Sequence, residues 1–252
     1  MNFEGIHNFR DYGGYAADGG RVCTGVLYRS GQHVGATDAD LAALAALDIR
    51  TVIDLRGISE REMNPCRRHE GWSGEVIAHD GETTSSPPHM DIGPEVTTAQ
   101  YARERMLAVY TRMPQNPAMQ AMFGRYLRAL AEREGASLVH CFAGKDRTGI
   151  AATLLLHILG VSEDEQLEEF LLTNRSPTLH VLRAQSVPHI ELRLGRTLDE
   201  DSIRALLEVH EDYLARFQEV ASEMDGSLDG WLERRVGVGD DLRERLRERL
   251  VA

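Results

Sequence analysis

"ASLVHCFAGKDRTGIAATLLLHILG", residues 136 to 160, opens with a short apolar run, crosses a glycine-bearing polar loop and closes on a long apolar run. Residues 136 to 141 read as a buried strand, and Arg147 onward as a helix. Cys141 stands at the strand's end, and Arg147 follows after five intervening residues. A strand that passes directly into a helix is one part of a crossover unit, so a mostly parallel sheet flanked by helices is the expectation.

The loop has chemistry of its own. Backbone N–H groups from Phe142 through Ala143, Gly144, Lys145 and Asp146 to Arg147 can converge on an anion above the helix N-terminus, where the helix dipole adds positive potential. Gly144 lets the backbone turn close to that anion. Arg147 offers a planar fork that can take two phosphate oxygens at once. The same positive surroundings are expected to favour the thiolate of Cys141, which makes it a candidate nucleophile. The bland alternative for Cys141, a buried thiol at a strand end, does not account for Gly144, Arg147 and Thr148 in register.

Working outward, "TGVLYRSG" (24 to 31) and "IRTVIDLRG" (49 to 57) read as buried strands, with a helix capped by Thr37 between them. "GEVIAHDGE" supplies another short strand, and "TTSSPPHMDIGPE" a polar, proline-rich loop. Residues 97 to 134 give two helices separated near "MPQNP". The last third, 162 to 252, is a helical extension on a single domain of 1 to 252. It opens on a Ser162 to Glu165 capping box, runs through one long amphipathic helix over "TLDEDSIRALLEVHEDYLARFQEVASEMDG" and closes on two shorter helices. Leu206, Leu207, Tyr213, Leu214 and Phe217 read there as core contacts, with a cover over the loop as the alternative.

Composition narrows the partners. The formal charge of −12 disfavours nucleic acid and anionic membranes, so any anionic ligand must find a local basic pocket. Three cysteines, Cys23, Cys66 and Cys141, show neither a disulfide framework nor a zinc spacing. The ten histidines show no ligand spacing either, so no metal and no cofactor is expected. No stretch approaches the roughly 18 apolar residues of a membrane span, and the first residues lack a secretory pattern, so a cytoplasmic protein without membrane insertion is the expectation. Of 28 basic residues only Lys145 is lysine. Its compact ammonium is expected to contact substrate phosphate where a guanidinium would not fit.

The loop, together with "NFRDYGGY" (8 to 15), "GVLYRSG" (25 to 31), "DLRGISERE" (54 to 62) and "EEFLLTN" (168 to 174), resembles the bacterial tyrosine-phosphatase-like family of cysteine-dependent phosphatases, marked by "HCxAGKDRTG". The resemblance implies phosphomonoester hydrolysis in two steps. Cys141 forms a cysteinyl-phosphate, Arg147 and the loop amides hold the phosphoryl oxygens, Thr148 bonds the departing thiolate, His140 orders the loop, and water releases inorganic phosphate without a metal. It implies a phosphorylated protein or a phospholipid headgroup as substrate.

Three aspartates compete for the general acid. Asp146 lies inside the loop, as in lipid phosphatases with an aspartate before the arginine, and is the first choice. Asp80 follows a strand in a region where many dual-specificity phosphatases place their acid, and Asp54, which could reach the loop from a neighbouring strand, reads first as ordering the loop. Arg10, Arg29 and Arg56 read either as pocket rim or as members of ion pairs. Phosphotyrosine is the leading substrate, with dual-specificity or phosphoinositide hydrolysis, a silent phosphate-binding module and a rhodanese-like sulfur transferase as the alternatives.

Overall fold

A computed structural model of the chain describes residues 3–83 and 98–252. Beyond Thr83, the proline-rich loop expected from the sequence lies outside the described residues. The central sheet contains β1 (Arg10–Asp11), β4 (Leu27–Ser30), β5 (Ile49–Asp54), β6 (Glu75–Ala78) and β7 (Ala136–His140) in the order β1-β4-β7-β5-β6. All pairings are parallel except β1 with β4. A separate hairpin joins β2 (Ala16–Ala17) to β3 (Gly20–Arg21).

The period-2 alternation of each strand distributes side chains between two apolar layers. Tyr28, Val52 and Leu138 point into one layer with Leu41 and Leu44 of α1 (Asp38–Ala45). Their neighbours Leu27, Ile53 and Val139 point into the larger layer. The helix α1 starts at Thr37 with the expected cap, which Asp40 reciprocates in a capping box.

On the larger side lie α3 (Ala99–Arg112), α4 (Pro117–Glu132) and α5 (Asp146–Ile158). The α5 run Ile150, Ala151, Ala152, Leu154, Leu155 and Leu156 is buried around the helix, as befits an element enclosed on all sides. Behind it come α6 (Glu163–Leu171), α7 (Leu179–Leu194), α8 (Glu200–Leu207), α9 (Glu211–Asp225), α10 (Leu228–Trp231) and α11 (Asp240–Leu250); α2 (Ile58–Met63) follows β5. The chain end returns to the beginning, where Val251 bridges Val22.

Two expectations change. The long helix expected across 197 to 226 is broken into α8 and α9 at Glu208–His210. The break is stabilised from elsewhere in the chain: Asn174 donates from Nδ2 to the Val209 carbonyl and accepts from the Val209 N–H, both at 2.8 Å. At Ser162 the hydroxyl accepts from the Glu165 N–H as expected, but the Glu165 carboxylate bonds that hydroxyl rather than closing a full capping box.

The register of β7 decides where the chemistry sits. His140 pairs across to Ser30 on one side and to Asp54 on the other, so three strands end together. The loop after His140 therefore emerges at the carboxyl edge of the parallel strands, where open α/β sheets place their ligands.

Candidate active site

The loop Cys141–Lys145 closes directly onto α5, whose first residues are Asp146 and Arg147. Gly144 has a φ of +65°, and a Cβ there would lie 2.3 Å from the Ser30 carbonyl carbon, so only glycine fits the approach of the loop to β4. The Gly144 carbonyl is fixed from below by Asn8 Nδ2 at 2.7 Å and Arg29 Nη2 at 2.9 Å. Arg29 and Arg10 both pair with Glu169, at 2.5 and 2.7 Å. Burial opposes charge on Glu169, but the two guanidiniums outweigh it and hold the carboxyl below its usual range. The Phe142 carbonyl accepts from the Gln32 N–H at 2.9 Å, which ties the next turn of the loop to the end of β4.

Helix α5 begins without a side-chain cap. Its first amides are therefore left for a ligand seated over the helix end. Arg147 stands at this rim, 1 % exposed, with Nη1 at 2.6 Å and Nη2 at 2.8 Å from the two carboxylate oxygens of Glu60. Burial opposes its charge, yet Glu60 keeps it more firmly protonated than a free arginine. A guanidinium has a second fork through Nε, and Arg147 Nε is buried without a partner among the described residues. Thr148 Oγ1 is in the same condition one residue on. Cys141 is 3 % exposed and lines a narrow cleft with Phe142, Ala143, Lys145, Asp146 and Arg147. Its walls are Met106 of α3, Leu182 and Ser186 of α7, and Leu206 and Leu207 of α8.

Beneath the loop, His140 Nδ1 is 3.3 Å from the Cys141 carbonyl, and its ring stacks on His33 at 5.4 Å. Burial lowers the His140 pKa to about 4, so the ring is neutral near pH 7. Asp54 Oδ2 stands 3.6 Å from His140 Nε2 and 2.7 Å from Arg56 Nη2. Burial opposes ionisation of Asp54, but His140 and the Arg56 fork hold its carboxyl below the ordinary range. Arg56 Nη2 also donates to Cys66 Sγ at 3.2 Å, so one guanidinium ties Asp54 to Cys66 behind the loop.

The sequence pattern of the tyrosine phosphatase family matches residues 1–252. The chain belongs to the tyrosine phosphatase family. It is 33 % identical over 245 residues to a protein of Cupriavidus necator assigned as a tyrosine-protein phosphatase, covering 92 % of this chain and 82 % of that one. It is 29 % identical over 273 residues to the triple specificity protein phosphatase PtpB of Mycobacterium tuberculosis, with 96 % of each chain covered. Among solved structures, P. aeruginosa TpbA is matched at 18 % identity and a TM-score of 0.33, over 83 % of this chain and 96 % of that one. As a member of this family the chain is a cysteine-dependent phosphomonoesterase, a protein-tyrosine phosphatase acting on phosphorylated substrates.

Within this phosphatase the three aspartates occupy different settings. Asp146 lines the cleft and accepts a hydrogen bond from Tyr110 at 2.8 Å. Asp54 is committed to Arg56 and faces His140, behind the loop. Asp80 is exposed just beyond β6 and does not line the cleft.

Lys145 lines the cleft too, but its ammonium donates to the carbonyls of Leu206 at 2.6 Å and Glu208 at 3.3 Å, and lies 3.5 Å from Asp146 Oδ1. A cation at the carboxyl end of α8 is favourably placed against the helix dipole. Arg29 and Arg56 are wholly buried members of ion pairs rather than rim residues. Sequence reasoning did not single out Glu60, Glu169, Asn8 or Tyr110. The first three stand in the stretches "DLRGISERE", "EEFLLTN" and "NFRDYGGY", whose shared presence was the available signal; no such signal marked Tyr110.

Proposed function

We propose that the chain hydrolyses phosphotyrosyl side chains with Cys141 as nucleophile, Arg147 as phosphoryl clamp and Asp146 as general acid. The observation that carries this reading is the uncapped start of α5 over Cys141, with Arg147 held at its rim by Glu60 through one fork while Nε stays available. Phosphate oxygens seated there accept from the loop amides and from the Nε side of the guanidinium. The Cys141 thiolate attacks phosphorus, the S–P bond forms, and the P–O bond to the alcohol breaks as Asp146 gives that oxygen a proton. In the second step Asp146, now a carboxylate, takes a proton from water as the water attacks phosphorus. Phosphate leaves and Cys141 recovers its electron pair, with Thr148 Oγ1 donating to the sulfur. His140, neutral and hydrogen-bonded to the Cys141 carbonyl, holds the loop without exchanging protons.

The apolar walls given by Met106, Leu182, Leu206 and Leu207 favour an aryl group behind the phosphate, which supports phosphotyrosine over phosphoserine. Phosphoinositide hydrolysis is the second reading, favoured by the KD pair of the loop. For Lys145 to reach a phosphate, its ammonium must exchange the α8 carbonyls for the substrate. We place the enzyme in the cytoplasm, in keeping with three free thiols. Among the described residues no helix is long and apolar enough to cross a membrane.

Comparison of kcat/KM on a phosphotyrosine peptide, a phosphoserine peptide and a phosphoinositide tests the reading. The phosphotyrosine peptide is expected to lead, and a phosphoinositide preference would overturn the assignment. Asp146→Asn is expected to lower kcat by about 10²- to 10⁴-fold on an ester with a poor leaving group.

A further inference from the structure

Tyr110 lies on the last turn of α3, far from the loop in sequence, and is fully buried beside it. Its hydroxyl donates to Asp146 Oδ1 at 2.8 Å. The donor direction is fixed: burial and the Asp146 charge hold the phenol well above its ordinary pKa, so it stays protonated. The ring itself is clamped. It stacks on Tyr213 with centroids 5.3 Å apart and meets Phe170 edge-on at 6.3 Å. Tyr213 is fixed in turn by its hydroxyl, which donates to the Ala205 carbonyl of α8 at 3.0 Å.

We propose that Tyr110 is a positioning residue for the acid–base step, holding Asp146 by one carboxyl oxygen so that the other faces the cleft and carries the transferred proton. The proposal rests on the reading of Asp146 as general acid. Chemistry supports the division of labour. Oδ1 already receives the Tyr110 hydrogen bond and lies 3.5 Å from the Lys145 ammonium, so a proton on the same carboxyl group belongs on Oδ2. Asp146 is the first residue of α5, and its backbone is fixed by the loop that binds the anion. One hydrogen bond from a clamped ring therefore restrains the freedom left to the side chain, its rotations about the Cα–Cβ and Cβ–Cγ bonds.

A positioning role and a merely structural one differ in what they do to leaving-group dependence. Tyr110→Phe keeps the ring, its stacking and its volume, and removes only the donor. Measured on a series of aryl phosphates, its kcat/KM is expected to fall about tenfold for phenyl phosphate, a poor leaving group, and much less for p-nitrophenyl phosphate. Tyr213→Phe, which keeps the stack and loses only the Ala205 bond, is expected to leave the leaving-group slope unchanged. Asp146→Asn separates the two claims. If it steepens the slope and Tyr110→Phe lowers all substrates equally, the positioning role is overturned while the acid stands. If Asp146→Asn leaves the slope unchanged, the acid assignment itself fails, and the role of Tyr110 with it.

Discussion

Arg147 and Glu60 form a buried bidentate pair, and the balance of such pairs is sensitive to the loss of one partner. Glu60→Gln leaves a guanidinium in the interior without its counter-charge. It is expected to lower stability by about 3–5 kcal/mol, read from the denaturant midpoint. Inorganic phosphate, which can take the released charge, should restore part of that loss; an unchanged midpoint would show that the pair does not hold Arg147. The histidines beneath the loop give a pH dependence of a definite sign. His140 is held near pKa 4 and His33 also well below its ordinary value, both chiefly by burial. Unfolding returns each to about 6.5, so between these values the unfolded chain binds more protons and stability falls as the pH is lowered. Preferential protonation of the unfolded His140 between pH 6.5 and pH 4 costs about 3 kcal/mol of stability. Denaturant midpoints that stay flat from pH 6.5 to 4.5 would contradict this. At this scale the sequence was legible wherever function is local: Cys141, Gly144, Asp146 and Arg147 fall within seven residues. Glu60 was not, because it stands 87 residues from the arginine it serves, and no local pattern links the two.

Among the elements, the link between α8 and α9 shows where periodicity stops being informative. Apolar spacing continues through residues 197 to 226, yet the helix breaks, because backbone groups freed at Leu206, Glu208 and Val209 find partners in Lys145 and Asn174. A tertiary hydrogen bond of this kind competes with helix continuation and leaves no trace in local composition. Asn174→Ala strands the N–H and carbonyl of Val209, a buried residue, and is expected to cost about 1–3 kcal/mol in thermal or denaturant melting. Faster amide exchange at residues 206 to 210 should accompany it, and unchanged exchange there would count against the clamp. The same contact explains the solitary lysine in part: its ammonium satisfies α8 carbonyls at the edge of the cleft. By contrast the strands 27–30, 49–54, 75–78 and 136–140 were readable because their apolar runs are short and bounded by loop residues.

Across the whole molecule, the larger apolar layer gathers Leu27 and Val139 of the sheet, Trp231, and Leu246 and Leu250 of the last helix. The charged composition of "RERLRERL" conceals this, since its leucines face inward while its arginines and glutamates face outward. Leu246 is wholly buried, so Leu246→Ala is expected to destabilise the fold by about 2–5 kcal/mol, measured by denaturation. The formal charge of −12 acts at longer range than the loop. It repels an acidic phosphopeptide on approach, so kcat/KM on such a peptide is expected to rise as salt is raised toward about 0.15 M and screens the field. A fall over that range would mean that a basic surface, rather than the loop alone, recruits substrate.

Turnover of p-nitrophenyl phosphate by Cys141→Ser, beside the unaltered enzyme, reaches the centre of the account. The serine variant should release p-nitrophenol at no more than the background rate while keeping its fold, and the unaltered enzyme, quenched during turnover, should carry one phosphoryl group on Cys141. Sustained turnover by the serine variant, or a phosphoryl group recovered on another residue, would contradict it.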